Sequence, residues 1–207
     1  DRTVVADLYK PDLYVLSIGV SRYQDARNNL AYASVDARAI RDTFAQQGRL
    51  FGQIRQKLLT DAEATKDNIL DALDWIDRQT TQRDLAVIFV SGHGINHERG
   101  GYYFLPHDTE IESLRRTGVK WLEFQDVVTH LPGKVLLLAD TCHSGAILGK
   151  TRQAFGADIT AAIQSITAAG TGQVIMAAST GSTASFESDE WGHGAFTKAL
   201  VEGIDGQ

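Results

Sequence analysis

The chain has 207 residues, enough for one domain with a sizeable core, and its 43% hydrophobic and 22% charged residues are ordinary for a globular protein. Lys and Arg number 20 against 26 Asp and Glu, a formal net charge of −6, so no basic field for nucleic acid is present. No apolar run reaches the roughly 20 residues that span a bilayer, and the single cysteine, Cys142, excludes an internal disulfide.

Residues 1–12 read as a lead-in that reaches Pro11. The first residue is Asp1 rather than Met, and the expectation is a piece of a larger chain, with a cytoplasmic location favoured. Beyond the lead-in, short apolar runs alternate with helical patterns. The runs Tyr14–Ile18, Leu85–Val90, Val135–Ala139 and Val174–Ala178 are apolar on both faces, as strands buried between helices must be. Ile54–Leu59 is a weaker strand. Tyr32, Val35, Ala39, Ile40, Thr43 and Phe44 recur at helical spacing, and Gly48 ends that pattern. Thr65 is placed to cap a second helix carrying Ile69, Ala72, Leu73 and Ile76 on one side. Trp121–Leu131 reads as a third helix, stopped by Pro132-Gly133, and Gly100–Pro106 as a small side hairpin. Asp158–Ala169 and Gly194–Gly203 supply two more helices. The alternation predicts an α/β fold with a central, mostly parallel sheet covered by helices on both faces.

Three apolar strands run into glycine-punctuated polar turns: Ser91-Gly92-His93-Gly94, Asp140-Thr141-Cys142-His143-Ser144-Gly145 and Ser179-Thr180-Gly181-Ser182-Thr183. Sites in parallel sheets form beyond the carboxyl ends of the strands, so all three turns are expected at one edge. A Cys–His pair there suits acyl transfer. The thiolate is the nucleophile, an imidazole takes its proton and later protonates a leaving amine, and nearby glycines leave backbone N–H groups for an oxyanion. A lone cysteine is more often a small buried hydrophobe. Here it lies among Asp, Thr, His, Ser and Gly at a strand exit, which favours a functional thiol.

His143 is a rival base because it adjoins Cys142, but neighbouring side chains rarely point together, so His93 ranks above it. His97 and His107 read as surface residues. A zinc site built from Cys142, His143, His93, His97 and His107 competes, but the spacings match no compact zinc pattern. A nucleotide-binding domain lacks its Gly-x-Gly-x-x-Gly turn. Asp36 falls inside the apolar stripe of the first helix, where a lone carboxylate is costly. Either it answers the helix dipole in the first turn, with Ser34 as the cap, or it lines a pocket at the same edge. In the second case Asp36 and Asp140 would flank a substrate and select a basic side chain.

On Ser91-Gly92-His93-Gly94 and Asp140-Thr141-Cys142-His143-Ser144-Gly145 the sequence resembles the caspase-like cysteine peptidases, and among them the metacaspases and bacterial caspase homologues (orthocaspase type). His93 precedes Cys142 by 49 positions, close to the roughly 50 of caspases. Gly19-Val20-Ser21, Asp36-Ala37, Phe104-Leu105-Pro106-His107-Asp108 and Gly194-Ala195-Phe196-Thr197 extend the similarity from about Leu13 to Ile204.

The resemblance implies the caspase–haemoglobinase fold over residues 13–205. A large-subunit-like part would cover 13–145, a connector 146–172 and a small-subunit-like part 173–205. It implies Cys142 as nucleophile, His93 as its acid/base partner and the backbone N–H groups of Gly94 and Cys142 as the oxyanion hole. Asp36, Asp140 and Ser91 would line the first pocket, with cleavage of polypeptides after Arg or Lys. Caspases that cut after Asp use arginines and a Gln-Ala-Cys-x-Gly context. Here the context is Thr141-Cys142-His143-Ser144-Gly145 and no arginine is expected near the strand exits, so Asp specificity is rejected. Lys150 and Arg152 in the connector are the candidate self-cleavage positions.

The sequence itself requires no cofactor. Many metacaspases hold calcium with several aspartates, and Asp108 matches one of those positions. Gln125-Asp126 stands where the family has an aspartate pair, Gly149 where another aspartate follows the cysteine, and Ala33 where the first helix region usually has a cysteine. Neither a nucleic acid nor a membrane is an expected partner. The alternative function is a catalytically silent scaffold module with the same fold.

Overall fold

The computed structural model describes residues 10–97, 101–143, 172–178, 187–188 and 191–206. Five parallel strands form the centre of the sheet in the order β2 (Ile54–Thr60), β1 (Leu13–Gly19), β3 (Leu85–Asn96), β6 (Lys134–His143) and β7 (Gln173–Ala177). The far end of β3 also pairs antiparallel with β4 (Tyr102–Phe104), which pairs antiparallel with β5 (Val119–Lys120). Gly100–Pro106, expected as a small side hairpin, instead supplies a single strand that joins the main sheet, because the far end of β3 offers it an antiparallel partner. Two short strands, β8 (Glu187–Ser188) and β9 (His193–Gly194), make a separate antiparallel pair.

The longer helices among the described residues are α1 (Ala33–Ala45), α2 (Lys66–Gln79), α3 (Trp121–His130) and α4 (Ala195–Asp205). The chain steps from β1 outward to β2, then back past β1 to β3 and on to β6. Right-handed crossovers in opposite directions put their helices on opposite faces. Alternation along the strands bears this out. Leu13 and Val15 of β1, Val87 and Phe89 of β3 and Leu138 of β6 pack with Ala37, Ile40 and Phe44 of α1. Tyr14, Leu16 and Ile18, Ile88 and Val90, and Leu137 pack with Ile69, Leu73 and Ile76 of α2 and Phe124 and Val128 of α3. Phe89 is fully buried, and its truncation to alanine is expected to cost ~3–5 kcal/mol.

Local signals set most boundaries. The Thr65 hydroxyl accepts from the Asn68 N–H at 3.3 Å, the cap its position predicts. Ser34, by contrast, caps nothing at the start of α1. It lies within the helix, and its own N–H donates to Ser21 Oγ at 2.8 Å, so the cap comes from the loop after β1. The larger correction concerns the polar motifs. Ser91–Gly94 and Asp140–His143 continue β3 and β6 as strand rather than turning away, because each residue of one motif is in register with one of the other. Glycine punctuation is overridden by a ladder that pairs on both sides. The expected helix Asp158–Ala169, the turn Ser179–Thr183 and nearly all of the 146–172 connector lie outside the described residues.

Candidate active site

Register places the two motifs side by side at the carboxyl edge of the sheet. Gly19, Ser91 and Asp140 form a row across β1, β3 and β6, and two residues further on His93 is the register partner of Cys142. Neighbouring strands lie about 4.8 Å apart, so these two backbones are adjacent. Of Cys142 and His143 only the backbone is described. His143, the rival base, has Gly94 as its register partner.

His93 is 8% exposed. Its Nε2 lies 2.8 Å from the carbonyl oxygen of Asn28, in the 3₁₀ turn Ala26–Asn28. A carbonyl only accepts, so Nε2 carries the proton and Nδ1 is the basic nitrogen. The backbone N–H of His93 donates to the Tyr23 hydroxyl at 2.9 Å, and the two rings lie 5.1 Å apart. The His93 carbonyl accepts from the Leu105 N–H at 2.9 Å. Burial holds the imidazole below its ordinary titration range, against the opposing effect of the Asn28 hydrogen bond. A neutral imidazole with a fixed tautomer is equipped to act as a base.

Asp36 is 2% exposed and Asp140 is 4% exposed. Asp36 lies in the first turn of α1, yet its carboxylate turns to β9, at the other end of the chain. Oδ1 accepts from His193 Nδ1 at 2.9 Å, and both oxygens lie 3.3–3.4 Å from the Gly194 N–H. A Cβ placed on Gly194 would stand 3.1 Å from Asp36 Oδ2 and 3.2 Å from Asp140 Oδ2. The two acidic groups therefore converge on one glycine, which lets them approach. Asp36 thus lies in the first turn of α1 and its carboxylate also approaches that of Asp140. Its carboxyl is pushed up to about 6, first by burial and further by the Asp140 charge. The His193 hydrogen bond, the Gly194 N–H and the His193 charge oppose that rise.

Gly94 faces the ring of Tyr102, where a Cβ would fall 1.8 Å from the hydroxyl oxygen. That hydroxyl donates to Thr141 Oγ1 at 2.9 Å, tying β4 to β6 beside Cys142. His93 forms part of the wall of an open cleft of about 830 Å³, with Gln24, Asp25, Arg27, Asn28, Asn29 and Thr109–Glu112 also lining it. Arg27 lines this cleft, so the expectation of no arginine near the strand exits does not hold in three dimensions. The loop after β1 folds back over β3 and carries Arg27 with it, paired to Asp25 at 2.6 Å.

His97 and His107, read as surface residues, are both half-buried. The His97 ring lies 5.9 Å from Tyr103, and His107 Nδ1 lies 2.6 Å from the Arg22 carbonyl oxygen. Among the described residues no three His, Cys, Asp or Glu side chains gather as metal ligands. Asp108 accepts from the Lys66 N–H at 3.2 Å, and Asp126 lies 3.3 Å from His130. Gly149, Lys150 and Arg152 lie outside the described residues.

Three partners of the site were not foreseen in the sequence. Asn28 acts through its carbonyl, which side-chain identity cannot signal. Tyr23 had no motif around it. His193 did have one, because it lies between Gly192 and Gly194 much as His93 lies between Gly92 and Gly94.

A family model described as "Caspase domain" matches residues 13–207. Among solved structures, that of protein GSU0716 from Geobacter sulfurreducens superposes with a TM-score of 0.68 at 15% identity, covering 94% of this chain and 83% of that one. No curated protein matches.

Proposed function

Because this chain belongs to the caspase-domain family, a family of cysteine peptidases acting on polypeptides, we propose that it is an endopeptidase of the metacaspase kind that cuts after Arg or Lys. The observation that carries the reading is the register pairing of His93 with Cys142 at the carboxyl ends of adjacent parallel strands. In the proposed reaction the Cys142 thiol gives its proton to His93 Nδ1. The thiolate attacks the scissile carbonyl carbon, and the backbone N–H groups of Gly94 and Cys142 receive the developing oxyanion. Collapse breaks the C–N bond, and the leaving amine takes the proton from His93. Water, deprotonated by His93, then hydrolyses the thioester and restores the thiol.

The buried carboxylates of Asp36 and Asp140, with Ser91 in register beside Asp140, support a pocket for one basic side chain. The same preference makes Lys150 and Arg152 the proposed self-cleavage positions. Arg27 lends little to an Asp-specific alternative, because Asp25 already neutralises it.

The test is cleavage of a peptide library carrying each residue before the scissile bond, with Cys142→Ala as control and with and without calcium. Cleavage after Arg and Lys that disappears in the variant is expected. Cleavage surviving in the variant would remove the thiol mechanism, and no cleavage or labelling by a thiol-reactive arginyl inhibitor would favour the silent scaffold. Chain length by mass spectrometry after incubation checks Lys150 and Arg152.

A further inference from the structure

We propose that His193 is a positioning residue for the acidic site, reaching from β9 at the C-terminal end of the chain to hold the Asp36 carboxylate beside Asp140. This inference rests on the Arg/Lys reading above and deepens it. Asp36 is buried on α1 and Asp140 on β6, and both approach Gly194. Two carboxylates brought together away from water resist ionising, and a pocket for a basic side chain needs them ionised. The described groups that meet this need at Asp36 come from β9: the imidazole N–H of His193 at 2.9 Å and the backbone N–H of Gly194. Among the described residues, the charges acting on Asp36 are those of Asp140 and His193, one from each neighbouring strand.

The geometry has a second consequence. His193 engages Oδ1, while Oδ2 lies on the side of Gly194 that Asp140 Oδ2 also approaches. One carboxylate oxygen from each aspartate is thereby directed to the same place, the arrangement a forked guanidinium or an ammonium group can bridge. Asp36 and His193 are separated by 157 positions, so the acidic site is complete only when the C-terminal segment is docked on α1.

The test uses the full chain with His193→Ala and His193→Gln, the second keeping a side-chain N–H donor without the imidazole. KM and kcat are measured across pH for matched peptides with Arg or a neutral residue before the scissile bond. The Asp36 carboxyl is titrated in parallel by carbon NMR, assigned with Asp36→Asn. In His193→Ala the KM for the Arg peptide is expected to rise about tenfold near neutral pH. The kcat and the neutral peptide should change little, and the Asp36 titration should move upward. His193→Gln should recover part of the KM, and it carries the test if the alanine variant does not fold. An Arg preference and an Asp36 titration that both survive in the variants overturn this inference alone, as does equal KM loss on both peptides. Absence of Arg preference in the unmodified chain overturns the basic-selective reading and this inference with it.

Discussion

The Cα atoms of His93 and Cys142 are register partners on adjacent parallel strands, β3 and β6, at the edge where both strands end. Proximity is thus supplied by the sheet ladder, the most rigid element available, and not by a loop. If the two act as one unit, removing either should cost about as much as removing both. Cys142→Ala and His93→Ala are each expected to lower kcat/KM by at least about a thousandfold, and the double variant by no more than the worse single. Losses that multiply in the double variant would separate the two roles.

On the proposed basic selectivity, Asp36 should set an acid limit on substrate binding. Its carboxyl titrates at about 6, so an Arg peptide should lose affinity as pH falls through that value, while a matched neutral peptide should not. KM measured for both peptides between pH 5 and pH 8 checks this.

The same group has a stability signature of unusual sign for an aspartate. Its carboxyl is raised from 3.8 to about 6, so between those values the folded chain holds a proton that the unfolded chain has released. Stability from this group is therefore full below the unfolded value and is lost as pH rises to about 6, leaving a penalty at neutral pH. Asp36→Asn should remove much of that penalty and flatten the pH dependence of denaturant unfolding over this range. It should also weaken selectivity for Arg.

His93 is held below its ordinary value by burial, so it stays neutral further into the acid range than a free histidine. The acid limb of kcat/KM on a neutral peptide should accordingly fall below 6.5, the usual histidine value. The unfolded chain takes up that proton first, so this group also lowers stability as pH falls through 6.5. Tyr23→Phe strips the hydroxyl that accepts the buried His93 N–H, and a loss of about 1–3 kcal/mol in unfolding free energy is expected, together with a lower kcat.

Gly94 is required by contact. Gly94→Ala drives a methyl group into the Tyr102 hydroxyl and breaks its hydrogen bond to Thr141. Thermal denaturation should show a substantial loss that Tyr102→Ala in the same chain partly relieves. Additive losses would show that the overlap is absorbed elsewhere.

By itself the sequence determined the parallel core, because strands buried on both faces must be apolar throughout, as Leu85–Val90 and Val135–Ala139 are. It also determined the edge of the sheet that carries the polar motifs, because polar residues next to glycine follow directly on those runs. Ser91–Gly94 reads as a turn in sequence, since its glycines lower strand propensity. It is strand in the fold, because β6 and β4 offer hydrogen bonds that outweigh that preference. Only the tertiary structure decided the partners of each charged group. The oxygen that orients His93 belongs to the Asn28 backbone. The groups that hold Asp36 come from His193 and Gly194. Arg27 reaches the cleft beside His93 through a folded loop. Such interactions act over a few ångströms of space, and nothing in local residue pattern encodes which distant segment will arrive there.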